Sequence, residues 1–230
     1  MPAHARVAIP GILYHVTQRG NYRQDIFTTT HDRLTYLEYV TTAAAAYQLE
    51  IHGWCLMTNH VHWIVVPQAQ NAMADSFRRA HSRFAAYINR QHKRANGHLW
   101  QGRYYSCPLD AAHFAAALLY VERNPVRAGI VRSAAEYPWS SAAARLGQVP
   151  KPSYLRLEWW AHSFATEDWA RLLGEETQPD ADDQFRLSTK QGKPHGNAAF
   201  IDAMESQTGR TLRVRHAGRP AFSQSATGGS

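Results

Sequence analysis

Alternation and helical spacing of apolar positions divide the first 125 residues into a short series of elements. Leu13-Tyr-His-Val-Thr-Gln-Arg19 is rich in β-branched and aromatic residues and stops at Gly20-Asn21, which predicts a strand. From Asp32 to Tyr47, apolar Leu34, Leu37, Val40, Ala44 and Tyr47 recur at helical spacing. Leu49–Met57 and His60–Val66 flank a Thr58-Asn59 turn and predict a hairpin closed by Pro67. A second helix is expected from Ala72 to about Lys93, with Phe77, Phe84, Tyr87 and Ile88 on its buried side. A strand from Arg103 to Leu109 and a helix from Asp110 to about Arg123 follow. The order predicts an α+β fold, a ferredoxin-like βαββαβ sandwich with an antiparallel sheet, plus an extra helix packed on it. In that topology the first and third strands are central, so Cys55 and Cys107 fall on opposite edges, too far apart to bridge.

After Ser141 the pattern changes. Val149-Pro-Lys-Pro152 reads as a linker, dividing the chain into a domain over 1–148 and a helical C-terminal region over 149–230. Leu157 to Asp183 carries Trp159, Trp160 and Trp169 among eight acids and predicts a small helical element whose acidic surface avoids nucleic acid. No acid follows Glu205, while Arg210, Arg213, Arg215 and Arg219 do, which suggests a flexible arm for a phosphate backbone. The Ser/Gly-rich end beyond Ala221 is expected to be disordered.

Charge narrows the class of partner. The 230 residues carry a net charge of +7, with an isoelectric point near 9.6, which favours an anionic partner. From Ser76 to Leu109 the chain holds Arg78, Arg79, Arg83, Arg90, Lys93, Arg94 and Arg103 without one Asp or Glu. A solvated helix face accounts for an ordinary charge run; one sign over this length fits phosphate contacts better. No run approaches the ~18 apolar residues of a membrane span, and the N-terminus lacks an apolar signal core. Two cysteines form no framework, so a cytoplasmic protein with reduced thiols and no membrane partner is expected.

Candidate chemistry sits in two places. Successive strand side chains alternate, so His60 and His62 share one face while Val61, Trp63 and Val65 share the other. Two imidazoles one pleat apart can hold a divalent ion; the bland alternative is a pair of half-exposed strand histidines. Tyr120 and Asn124 are four apart and share a helix face. Taken singly, Asn124 reads as an Asn-Pro cap and Tyr120 as a core tyrosine with its hydroxyl at the surface. If that helix packs over the His60/His62 face, Tyr120 could attack a metal-bound phosphate with Asn124 completing the metal shell. A tyrosine, with a pKa of ~10, is a weak nucleophile near neutrality, and a bound cation helps offset this. Two imidazoles and an amide oxygen suit Mg²⁺ or Mn²⁺; zinc would want a thiolate or a third histidine. Tyr104 and Tyr105 are rival nucleophiles, better placed beside Trp100 to stack on unpaired bases. Arg123, Arg127 and Arg132 flank the helix end and read equally as phosphate contacts or as solvated arginines.

These segments together resemble a known family. Leu56-Met-Thr-Asn-His-Val-His62, Leu99-Trp-Gln-Gly-Arg-Tyr104, Tyr120-Val-Glu-Arg-Asn-Pro-Val-Arg-Ala-Gly129 and Tyr137-Pro-Trp-Ser-Ser141 are similar to the ordered motifs of REP-associated tyrosine transposases. These are single-tyrosine members of the HUH superfamily. Pro10 to Asn21 is similar too, so the likeness spans roughly residues 7 to 145, and the Gly192–Met204 and Thr208–Pro220 segments resemble the family's C-terminal part. The resemblance implies His60 and His62 as metal ligands, Tyr120 as nucleophile and Asn124 as the helix-borne ligand. It implies single-stranded DNA bearing hairpins, the repetitive extragenic palindromes of bacterial genomes, cut and rejoined through a covalent 5′-phosphotyrosine, by a monomer or homodimer associated with the nucleoid. Arg78, Arg79, Arg83, Arg103, Arg123, Arg127, Arg213 and Arg215 are the expected DNA contacts. Two other classes compete: a hairpin-binding regulatory protein without chemistry, and a ferredoxin-like RNA-binding or phosphodiesterase module.

Overall fold

Each strand alternates between two apolar sets, and each set calls for its own helical layer. A computed structural model describes residues 8–92, 97–175 and 179–213. Strands β1 (Leu13–Arg19), β2 (Leu49–Leu56), β3 (His60–Pro67) and β4 (Tyr105–Leu109) form one antiparallel sheet in the order β2-β3-β1-β4. The first and third strands are central, as the βαββαβ order predicts. Tyr14 and Val16 of β1 and Val61, Trp63 and Val65 of β3 face α1 (Thr30–Ala46) and α2 (Ala72–Gln91) in one core. Leu13, Ile64, Val66, Cys107 and Leu109 face the other way, into a second core.

Helix α1 starts at a capping box: Thr29 accepts from the Asp32 amide while the Asp32 carboxylate accepts from the Thr28 and Thr29 amides and from Tyr87 Oη. Its inward stripe differs from the expected one at Leu34, which is exposed. Leu34 and Tyr36 lie two apart, on opposite sides of a helix, so only one can face the sheet. Tyr36 takes the core, its ring meeting Phe27, Phe84 and Trp63. In α2 the expected Phe77, Phe84, Tyr87 and Ile88 are all buried.

The second core is closed by α3 (Phe114–Glu122), which follows a 3-10 turn at Ala111–His113, and by later elements. These are α4 (Asn124–Arg127), α5 (Ala142–Arg145), α6 (Glu158–Ser163), α7 (Thr166–Gly174) and α8 (Pro179–Gln191), whereas α9 (Ala198–Thr208) buries Met204 in a small separate cluster with Leu212, Ile9 and Phe200. Trp160 of α6, Trp169 and Leu173 of α7 and Phe185 of α8 share that core with Leu118 and Val121 of α3. Helix α8 packs on β4 and β1, and His195 then pairs with the edge of β4. Cys55 and Cys107 are both free and buried. Among the described residues no helix is long and apolar enough to cross a membrane. Asn197 caps α9 by accepting from the Phe200 amide. Lys93, Arg94, Arg215 and Arg219 lie outside the described residues, as does the Ser/Gly-rich end.

Candidate active site

The Thr58-Asn59 turn delivers His60 to the start of β3, and Asn59 Oδ1 fixes its ring by a 2.7 Å hydrogen bond to Nδ1. His62, one pleat on, lies across the sheet from Thr17, which shares its face with His15. His15 Nε2 is 2.9 Å from His62 Nδ1, and His15 Nδ1 is 2.9 Å from Thr189 Oγ1 on α8. The Nε2 of His62 is buried and meets no hydrogen-bond partner among the described residues. Burial pushes the His15 imidazole down to about 3, and burial with the Arg19 and Arg127 charges takes His60 to about 4. His62 is held well below the ordinary histidine value by burial first, then by His60 and His15. All three rings are therefore neutral near pH 7; both nitrogens of His15 are taken up by Thr189 and His62, which leaves His60 and His62 to offer a lone pair to a cation.

Opposite this face, α3 carries Tyr120. Gly53 lets α3 approach, since a Cβ there would stand 2.3 Å from Leu118 Cδ1. The Glu122 carboxylate locks the end of α3, accepting from Ser141 Oγ at 2.6 Å, Arg145 Nε at 2.9 Å and Trp169 Nε1 at 3.0 Å. Both members of the Glu122–Arg145 pair are fully buried. The Tyr137-to-Ser141 segment runs beside β2, with Leu56 N donating to Trp139 O and Tyr137 Oη donating to Leu56 O. Thus held, Tyr120 places its ring 5.8 Å from that of His62 and 5.9 Å from that of His15. It is 6% exposed and opens on a cavity of about 700 Å³, whose walls include His60, His62 and Asn124.

Asn124 begins α4 with its Nδ2 donating to the Tyr120 carbonyl at 3.0 Å. Its Oδ1 accepts from Arg127 Nη2 at 2.6 Å. The Arg127 guanidinium also lies over the Tyr120 ring, 4.2 Å from its centroid, and pairs with Asp182 at 2.9 Å. Arg186 lies near the Tyr120 side chain, whose interaction raises the arginine pKa above its usual value. Two cations therefore flank the phenol, where negative charge would develop if its oxygen attacked a phosphate.

A comparison of the sequence with protein-family models matches residues 8–124, just over half of the chain, to the model described as "Transposase IS200 like". The chain belongs to the IS200-like transposase family. No curated protein matches the sequence. Among solved structures, one titled as a REP-associated tyrosine transposase bound to a REP hairpin aligns over 68% of this chain and 92% of its own, at 18% identity and a TM-score of 0.55. That likeness establishes a shared fold. A crystal structure from Deinococcus radiodurans R1 aligns over 53% of this chain and 96% of its own, at 20% identity and a TM-score of 0.34.

In this transposase the sequence-predicted residues divide by location. His60, His62, Tyr120, Asn124 and Arg127 line one cavity. Arg78, Arg79 and Arg83 are exposed on α2, behind the sheet; Arg78 pairs with Asp75, and the Arg83 guanidinium stacks 4.4 Å over Tyr39. Arg103 is exposed in a neighbouring groove of about 650 Å³, which shares Arg19, Gln101, Tyr105 and Lys190 with the cavity. Arg123 turns away and donates to the Leu172 and Leu173 carbonyls, capping α7. Arg213 pairs with Asp202. Tyr104 is buried on the α2 side against Phe77, whereas Tyr105 is 43% exposed in the cavity.

Sequence reasoning passed over His15, Thr189 and Arg186, the last two on α8, which helps to wall the site. His15 shares strand parity with Thr17, a signal present in the sequence. The β1–β3 register that brings it to His62 was not readable there. Among the described residues no cluster of three His, Cys, Asp or Glu is arranged to hold a metal; the set to weigh is two histidines and an amide.

Proposed function

We propose that this transposase cuts and rejoins single-stranded, hairpin-bearing DNA, of the repetitive extragenic palindrome kind, through a covalent 5′-phosphotyrosine at Tyr120. The observation that carries the reading is the convergence of Tyr120 on the His60/His62 face within one cavity. The phenolic oxygen attacks the scissile phosphorus, the P–O3′ bond breaks, the phenolic proton leaves for solvent and the departing 3′ oxygen takes one up. The new ester conserves the bond energy, so a second 3′-hydroxyl can reverse the step and join strands. Arg127, over the face of the Tyr120 ring, and Arg186, near its side chain, bring positive charge to the site that can stabilise charge on the phosphate.

The donor set fits a divalent cation, Mg²⁺ or Mn²⁺: a neutral imidazole with a buried, unpartnered Nε2 at His62, a second at His60, and the Asn124 amide oxygen. That oxygen already accepts from Arg127, and a carbonyl oxygen has a second lone pair to offer. When bound, the ion would withdraw charge from a non-bridging phosphate oxygen. The adjoining basic groove, with Arg19, Arg103 and Lys190, gives single-stranded DNA a path into the cavity, and exposed Tyr105 offers a face for an unpaired base. The aligned structure titled as bound to a REP hairpin shares this fold and supports the choice of substrate.

Incubation with single-stranded hairpin DNA and Mn²⁺ tests the reading on a denaturing gel. The native chain yields a protein–DNA adduct that chelator abolishes, and Tyr120→Phe yields none. A second reading, a hairpin-binding regulator without chemistry, draws on the hold of Arg127 and α8 over Asn124 and Tyr120. It prevails if hairpin binding is indifferent to chelator and the native chain never forms the adduct.

A further inference from the structure

The His15–Thr189 contact joins α8 to the face of the sheet on which the proposed metal ligands stand. Resting on that metal-site reading, we infer that Thr189 and His15 are positioning residues that fix the tautomer of His62, so that its Nε2 carries a lone pair. A threonine hydroxyl has one proton, and Thr189 donates it to the Phe185 carbonyl at 3.0 Å, one helical turn back. Towards His15 Nδ1, 2.9 Å away, the same oxygen can therefore only accept, and His15 must hold its proton on Nδ1. Turning the hydroxyl to the neighbouring Cys107 sulfur would leave this unchanged, because the oxygen would still accept from His15.

A neutral His15 protonated on Nδ1 has a bare Nε2. That nitrogen lies 2.9 Å from His62 Nδ1, which must then be the donor. His62 is left bare at Nε2, the ring atom that is buried without a partner. One hydroxyl orientation on α8 thus propagates through two imidazoles to a lone pair on the sheet. The hydrogen bond also fixes the plane of the ring, since the His15 and His62 rings lie 9° from parallel with centroids 5.1 Å apart. Partners of this kind typically change metal affinity about 10–100-fold when removed. Thr189 stands well beyond residue 124, where the family match ends, so α8 contributes to a site whose other parts lie upstream.

The test uses the full chain labelled with ¹⁵N-histidine, without metal, and reads the two ring nitrogens of each histidine by NMR. His15 and His62 are both expected as Nδ1–H tautomers. Thr189→Val keeps the shape of the side chain but removes the acceptor; His15 is then released to carry its proton on Nε2, which drives His62 to the Nε2–H form. Mn²⁺ affinity, read by EPR of the free ion, should fall about 10–100-fold in Thr189→Val and recover in Thr189→Ser. A native His62 found as Nε2–H overturns the inference, as do tautomers and Mn²⁺ affinity unchanged by Thr189→Val. Should Thr189→Val fail to fold, the native tautomers and the Thr189→Ser affinity decide. Native protein that shows the expected tautomers but binds no Mn²⁺ contradicts the metal-site reading alone.

Discussion

Two tyrosines open on the cavity, and chemistry requires only one nucleophile. Tyr120 is nearly buried, gripped by Arg127 and Arg186, and close to His62. Tyr105 projects from the sheet edge and is partly exposed to solvent. A phosphoryl transfer needs the attacking oxygen held in place, which favours the constrained phenol. Tyr120→Phe should therefore abolish the covalent adduct while leaving hairpin affinity within about twofold. Tyr105→Phe should retain the adduct, and Tyr105→Ala should weaken single-strand binding by about 1–3 kcal/mol, measured by fluorescence anisotropy, if a base stacks there.

Elements hold the site through contacts far from it in sequence. Helix α3 is pinned where Glu122 meets Arg145, Ser141 and Trp169 in a setting without water access to either charge. Removing one partner strands a buried charge, so Arg145→Met should cost about 3–5 kcal/mol in urea denaturation, more than a surface ion pair such as Arg171–Glu175 would. Gly53→Ala should be destabilising as well, because the new methyl would occupy the space of Leu118 Cδ1 and push α3 away from the sheet.

At the other end of the fold, burial alone would raise the Asp32 carboxyl, but its hydrogen bonds from Thr28, Thr29 and Tyr87 outweigh that and hold it below the usual range. Its contribution is present above the unfolded carboxyl pKa, near 4, and is lost as pH falls through the lower folded value. Asp32→Asn should therefore be less stable than the native chain at pH 7, by about 1 kcal/mol, with the gap narrowing towards pH 2–3 in denaturant titrations.

Positive charge is spread over the whole molecule, but its uses differ by position. Arg103 lies exposed beside the groove that leads to the cavity, whereas Arg123 is committed to the α7 carbonyls. Arg103→Ala should lower the salt slope of hairpin binding by about one, measured as log affinity against log salt. Arg123→Ala should leave that slope unchanged and lower the melting temperature instead. A loss of slope for Arg123 with none for Arg103 would mean that DNA takes another route over the surface.

Much of this organisation is local and was therefore open to reading along the chain. Strand parity alone put His60 and His62 on one face and Trp63 on the other, and helical spacing alone put Tyr120 and Asn124 together. The order of strands and helices fixed which strands are central, because crossover connections leave few alternatives. Leu34 shows where such reading stops: two apolar residues on opposite helix sides compete for one core, and only packing against Trp63 and Phe84 selects Tyr36. Arg123 shows the same for charge, since a guanidinium beside a site is drawn to whichever carbonyls the next helix leaves unpaired. The register of β1 on β3, the return of α8 onto the sheet and the hydrogen bonds from Thr189 to His62 join residues up to 174 positions apart. No local pattern encodes such distances; they exist only once the apolar faces of distant elements have been buried against one another.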